Sequence, residues 1–148
     1  MPSTLMLLEE DDAVALRMQA RLRAAGFEVQ RVAQSIYEFG NGHVLDVQAR
    51  ALSVHARTIA LTLREYELLH FLLRHPRQVF SRDELIERVW GKGFDGFPHT
   101  VSSHINRLRA KIEAHPQRPR LIQTAWGVGY RFEPNGELQR ELRHNAGP

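Results

Sequence analysis

Two hydroxyl residues, Thr62 and Ser81, each stand three positions ahead of a glutamate, Glu65 and Glu84, and each dyad opens a run of apolar residues at helical spacing. A hydroxyl at a helix start accepts from a free backbone amide while the glutamate reaches back to the cap's own amide, so both dyads predict helix N-termini. The first predicts a helix over 63–74, with Tyr66, Leu69 and Leu73 on one stripe, Leu68 and Leu72 beside it, and Pro76 just past the end. The second predicts a helix over 83–90 that buries Leu85, Ile86 and Val89 and stops at Gly91. A third apolar series, Val101, Ile105, Leu108 and Ile112, predicts a helix over 99–114 with only one face in the core.

The segments around these helices carry the shorter period of strands. Tyr37, Phe39, the Gly40-Asn41-Gly42 turn, Val44, Asp46, Ala49, Leu52, Val54 and Ile59 read as a small antiparallel sheet, which needs helices on one face. Beyond Pro116 and Pro119, residues 121–124 and 130–132 flank a glycine-containing turn at Gly127 and Gly129 and read as a hairpin. The front of the chain reads as strand, helix, strand, with Gly26 stopping the helix. One such β-α-β unit leaves a sheet face and both edges uncovered. The domain reading is therefore a β-α-β fragment over 1–35, an α+β domain over 36–133, and a polar tail over 134–148 to which no function is assigned.

Several chemistries are excluded by residue type. With no cysteine in the chain, disulfides, thiolate-ligated metals and a thiol nucleophile are all ruled out, and a reducing cytoplasm is the expected location. The short apolar run before Glu9, Glu10, Asp11 and Asp12 has no basic flank, so neither a signal peptide nor a membrane contact is expected. Among the eight histidines, His70 and His75, like His99 and His104, are five apart and fall on different sides of a helix, which is no metal spacing. No glycine-rich phosphate loop or nucleophile elbow is present. The expectation is a protein that is not an enzyme, without metal or cofactor.

Charge points elsewhere. From Pro98 to Arg131 six basic side chains (Arg107, Arg109, Lys111, Arg118, Arg120, Arg131) stand against one acid, Glu113, whereas residues 1–35 hold four arginines against five acids. A cationic helix and hairpin fit a polyanion, though the same charges on a solvated helix face would need no partner. An α-helix fits the major groove of double-stranded DNA, where each base pair shows its own pattern of donors, acceptors and methyl groups. With the apolar series turned inward, Ser103, Asn106 and Arg107 face outward. Arg107 can donate two bonds to guanine, Asn106 can pair with adenine, and Ser103 lets the backbone come close. Thr100, His104, Arg109, Lys111, Thr124, Tyr130 and Arg131 are the expected phosphate contacts, and Trp126, Gly127 and Gly129 form the wing turn.

Residues 37–132 resemble the effector domain of OmpR/PhoB-type response regulators. The resemblance rests on Thr62-x-x-Glu65-Tyr66-x-Leu68-Leu69, Ser81-Arg82-x-x-Leu85, Val89-Trp90-Gly91, Val101-x-x-His104-Ile105-x-x-Leu108-Arg109-x-Lys111 and Thr124-x-x-Gly127-x-Gly129-Tyr130, in order and at similar spacing. It implies a winged helix-turn-helix: an N-terminal antiparallel sheet, three helices and a C-terminal β-hairpin wing. It also implies a homodimer on tandem DNA half-sites and a polymerase-contact loop that includes Lys92, Phe94 and Asp95. At the wing position where such proteins often carry arginine, this chain has Trp126.

Residues 1–35 resemble the opening of a receiver domain, and the resemblance implies that Glu10 and Asp11 are the vestigial magnesium-binding pair. A receiver's phosphoacceptor aspartate, hydroxyl residue and lysine have no counterpart, because the chain passes from Ala33-Gln34 straight into the effector sheet. Two functions follow as expectations: a DNA-binding regulator free of receiver phosphorylation, or an interaction protein that forms mixed dimers with a full-length regulator.

Overall fold

Parallel strands β1 (Thr4–Leu7) and β2 (Glu28–Arg31) are joined through helix α1 (Asp12–Ala24), with Leu5 opposite Val29. Among the described residues of this unit, Leu7, Ala15 and Val29 form a buried apolar cluster, and Leu22 packs against them. Met6 and Leu16 stay in water, as a two-stranded sheet with one helix has too little surface to cover them. The computed structural model describes residues 3–7, 12–31 and 35–136, and the chain divides into two units, Met1–Ser35 and Ile36–Pro148. Glu10 and Asp11 lie outside the described residues, as does most of the 134–148 tail.

The second unit opens with an antiparallel sheet in the order β3 (Ile36–Phe39), β4 (His43–Asp46), β5 (Ala51–Val54) and β6 (Arg57–Ile59). Its register lines up Tyr37, Leu45, Leu52 and Ile59 across the four strands, so one rung of apolar side chains faces the helices. The inward phase of β4 is His43 and Leu45, the positions between those the sequence pattern singles out. The β5–β6 hairpin turns on His55 and Ala56, both at positive φ, as a two-residue loop matching the strand twist requires.

Helix α2 (Leu63–Arg74) begins at the expected capping box: the Thr62 hydroxyl accepts from the Glu65 amide and the Glu65 carboxylate accepts from the Thr62 amide. Tyr66, Leu68, Leu69, Leu72 and Leu73 are all buried. Helix α3 (Arg82–Leu85) also begins in a capping box, at Ser81, but after one turn it widens into a π-helical turn over Ile86–Trp90. Leu85 is fully buried, whereas Ile86 and Val89 are only half-buried, against the sequence expectation. The widened turn, closed by the Gly91 amide donating to the Ile86 carbonyl, rotates the following side chains off the core stripe. Arg64 of α2 donates to the Val89 carbonyl at 2.8 Å and lies over the Trp90 ring, so a carbonyl at the turn's end keeps a partner.

Helix α4 (His99–Ile112) buries Val101, Ile105, Leu108 and Ile112 in the same core as Phe80, Leu85 and Phe132. It ends two residues earlier than its pattern suggests because Glu113 turns extended. The Glu113 carboxylate is buried and accepts from the backbone amides of Arg120, Leu121 and Ile122, at 2.8–3.1 Å, which fixes the entry to the hairpin. The hairpin strands β8 (Ile122–Ala125) and β9 (Gly129–Phe132) gain a third partner: the three-residue β7 (Val79–Ser81) pairs with β9, giving the order β7-β9-β8. The architecture of this unit is a winged helix-turn-helix.

Candidate nucleic-acid interface

Once the apolar stripe of α4 is buried, the helix geometry settles which side chains remain for a partner. Asn106, Arg107 and Ala110 are exposed and Ser103 is half-buried, so the three residues expected to read bases share the outer face. Among the described residues, neither Asn106 nor Arg107 has a side-chain hydrogen-bond or ion-pair partner. Both can be aimed at a ligand without breaking anything internal.

The expected phosphate contacts are placed differently, and most are tied into the protein itself. Arg109 donates from Nε to the Ile122 carbonyl at 3.0 Å and from Nη2 to the Thr124 hydroxyl at 2.8 Å, with its guanidinium over the Tyr130 ring. Burial lowers the pKa of this guanidinium, but far too little to discharge it. Tyr130 in turn donates to the Ser102 hydroxyl at 3.1 Å. Arg131 donates to Gln123 across the hairpin at 2.7 Å. Through these bonds the hairpin is fastened to the flank of α4.

Lys111 departs furthest from expectation. Its Nζ lies 2.6 Å from Oε1 of Glu65, whose side chain is 1 % exposed, and the lysine itself is only 31 % exposed. Burial tends to raise the Glu65 carboxyl; the Lys111 bond and the Thr62 amide and hydroxyl outweigh it, and the net shift is downward. A buried carboxylate without a cation would cost several kcal/mol, on the order of 3, so the pair favours keeping Lys111 turned inward. His104 is likewise engaged: its Nδ1 donates to the Thr100 carbonyl at 2.8 Å and its ring stands edge-on against Trp90. Thr100 is half-buried at the head of α4.

The wing turn is exposed. Trp126 is 90 % exposed and Val128 60 %, while Gly127 holds the left-handed φ of +78° that the turn needs. A cationic residue that the sequence pattern did not single out stands next to it: Arg82, at the first position of α3, lines a cleft of about 300 Å³ together with Thr124, Trp126 and Tyr130. Only pairing of β7 with β9 brings Arg82 there, and a three-residue strand leaves no readable period. In the loop between α3 and α4, Lys92 makes an exposed ion pair with Glu87 at 3.8 Å, Phe94 packs on Trp90, and Asp95 is exposed.

Among the described residues, no group of three or more histidine and acidic side chains could hold a metal ion. No helix among them is long and apolar enough to cross a membrane.

Residues 56–132 match the family described as transcriptional regulatory protein, C terminal. The chain is 38% identical over 117 residues to the sensory transduction protein RegX3 of Mycobacterium tuberculosis (strain ATCC 25618 / H37Rv), covering 79% of this chain and 51% of the relative. It is 36% identical over 129 residues to the transcriptional regulatory protein ResD of Bacillus subtilis (strain 168), covering 84% and 53%. The chain thus spans about half the length of these curated relatives. Among solved structures, the Klebsiella pneumoniae RstA DNA-binding domain in complex with the RstA box superposes with a TM-score of 0.61 at 28% identity, over 69% of this chain and all of that one (100%). The Thermotoga maritima response regulator DrrB, an OmpR/PhoB homologue, gives 0.63 at 28% identity, over 90% and 67%.

Proposed function

This chain belongs to the family of transcriptional regulatory protein C-terminal domains, the OmpR/PhoB-type effectors, and from that premise we propose that it is a cytoplasmic, sequence-specific regulator of transcription that binds double-stranded DNA and is not an enzyme. The observation that carries this reading is the outer face of α4, where Asn106 and Arg107 are exposed while Val101, Ile105, Leu108 and Ile112 on the opposite face are buried. In the major groove Arg107 donates two bonds to guanine and Asn106 pairs with adenine, with Ser103 allowing close approach. Two copies on tandem half-sites would double this contact. Lys92, Phe94 and Asp95, on a loop away from that face in sequence, are the candidates for touching RNA polymerase.

Control by receiver phosphorylation is absent from this reading. Strand β2 ends at Arg31 and β3 begins at Ile36, so the β-α-β unit runs directly into the effector sheet without the strands that would carry a phosphoacceptor. Binding is therefore governed by concentration and by pairing of copies on DNA.

The test is competition between a duplex selected by the protein from random sequence and an unselected duplex, repeated across salt. Selective binding that weakens steeply with salt is expected, because phosphate neutralisation releases counterions. Equal affinity for both duplexes would refute the reading. Arg107→Ala should cost about 1–3 kcal/mol on the selected duplex and relax base choice at one position. Reselection with the variant reads that position out directly.

A further inference from the structure

A cavity of about 240 Å³ opens where three stretches of chain meet: the β3–β4 turn, the segment that leaves α4, and the turn at Asn135 and Gly136. Ile112 and Leu121, both buried, give it an apolar floor. The His43 ring forms a further wall and is held in place by Nε2, which donates to the Ile112 carbonyl at 2.7 Å. Gly40 faces that ring with bare backbone. A Cβ there would stand 2.6 Å from His43 Nδ1 and 3.3 Å from Leu121 Cδ2, two other parts of the wall, so glycine keeps this corner open. The Gly40 amide donates to the Pro134 carbonyl at 2.5 Å, which ties the turn to the opposite side of the cavity before any ligand arrives.

The arrangement is not one that stability alone favours. With Nε2 committed as a donor, Nδ1 of the neutral ring is an acceptor, and it is buried without a partner among the described residues. An unpaired buried acceptor costs about 1–3 kcal/mol, and such exceptions in a folded protein call for a reason.

The rim of the cavity is cationic. Arg118 and Arg120 line it and are exposed, and among the described residues neither side chain has a hydrogen-bond or ion-pair partner. Two features oppose an anion here, and both are offset. The Glu113 carboxylate also lines the cavity, but it accepts from the amides of Arg120, Leu121 and Ile122. The end of α4 presents its carbonyls, but that of Arg109 is taken by the Glu113 amide and that of Ile112 by His43.

From two free guanidinium groups above an apolar floor, we propose that this cavity binds a small organic carboxylate. Its carboxylate sits on Arg118 and Arg120, whose planar forks match two oxygens, and its apolar body covers Ile112 and Leu121. Size supports the choice: a cavity of about 150 Å³ accommodates benzene, so the larger volume here takes a ring-sized body with its charged group at the rim. Inorganic phosphate or a DNA phosphate would satisfy the arginines and leave the floor uncovered. None of these residues belongs to the outer face of α4, so the site stands or falls separately from the DNA-binding reading.

Benzoate is the probe, titrated into the whole chain while amide NMR signals are followed. Saturable shifts are expected at Asn41, Leu121 and Gly136, with a dissociation constant of about 1 mM or lower, as befits so small a ligand. Benzyl alcohol, which lacks the charge, and inorganic phosphate, which lacks the apolar body, should each bind at least about tenfold more weakly. Arg118→Gln/Arg120→Gln should also weaken benzoate about tenfold or more, and because both side chains are exposed the variant should melt like the parent chain. Failure to saturate by about 10 mM benzoate, a hundredfold weaker than specific sites of modest affinity, would overturn the proposal. So would unchanged benzoate binding in the double variant. Phosphate binding as tightly as benzoate would also overturn it, since the apolar floor would then contribute nothing.

Discussion

Lys111→Ala is expected to lower folding stability by about 2–3 kcal/mol and to leave the salt slope of DNA binding unchanged. The reason is Glu65, which has a side chain 1 % exposed and pairs with Lys111 at 2.6 Å. Removing one partner of a buried pair typically costs about 3–5 kcal/mol. Lys111 is itself 31 % exposed, so water can reach the vacated space and the lower end applies. The magnitude separates the two possible roles of this lysine, since a phosphate contact would change affinity and slope and leave urea denaturation unaltered. Glu65→Gln/Lys111→Met should recover much of the loss, because glutamine still serves in a capping box and no charge is left buried.

The pair also has a pH signature. The Glu65 carboxyl lies below its ordinary value in the folded protein, so on acidification the unfolded chain takes up the proton first. The stabilisation is complete above the unfolded carboxylate pKa and is lost as pH falls through the folded one. In Lys111→Ala the main lowering influence is gone while burial remains, and the loss on acidification should shrink. Denaturation midpoints of both proteins through the carboxylate range will show whether the curves converge in acid; parallel curves would refute the assignment.

Gly129→Ala is expected to cost about 3 kcal/mol or more and to detach the hairpin from β7. A Cβ at Gly129 would overlap the carbonyl oxygen of Phe80 and crowd the Cα of Ser81, both backbone atoms of the paired strand. Overpacking against a side chain can relax by a rotamer change, whereas backbone against backbone cannot, so the upper end of the usual overpacking range applies. Gly127→Ala has no neighbour to strike and meets only its left-handed φ, for a cost of about 1 kcal/mol. Thermal unfolding of the two variants therefore ranks them clearly. A smaller loss for Gly129→Ala than for Gly127→Ala would mean that β7 and β9 are not paired as described.

How much of this was open to reading in the sequence depended on the range of the interactions. Thr62 with Glu65 and Ser81 with Glu84 act over three residues, and both helix starts fall where those dyads place them. The outer face of α4 was equally legible, because a helix that buries Val101, Ile105 and Leu108 has no choice about Asn106 and Arg107. Lys111 was not legible: its partner stands 46 positions earlier and already serves as a capping residue. Arg109 is similar, since its acceptors belong to a hairpin whose docking no local pattern encodes. The π-helical turn at Ile86–Trp90 escaped because its apolar residues fit an ordinary helix as well. β7 escaped because three residues are too few to alternate.

The bonds from Arg109 to Thr124 and from Tyr130 to Ser102 have one more effect. They make helix and hairpin a single caliper whose opening the protein sets. Duplexes differ in groove width and in how readily they twist, so each must be deformed by a different amount to fit a fixed gauge, at a cost that depends on its sequence. Base pairs lying between the two points of contact would then influence affinity although no side chain touches them, and an operator for this chain would be selected partly by its stiffness.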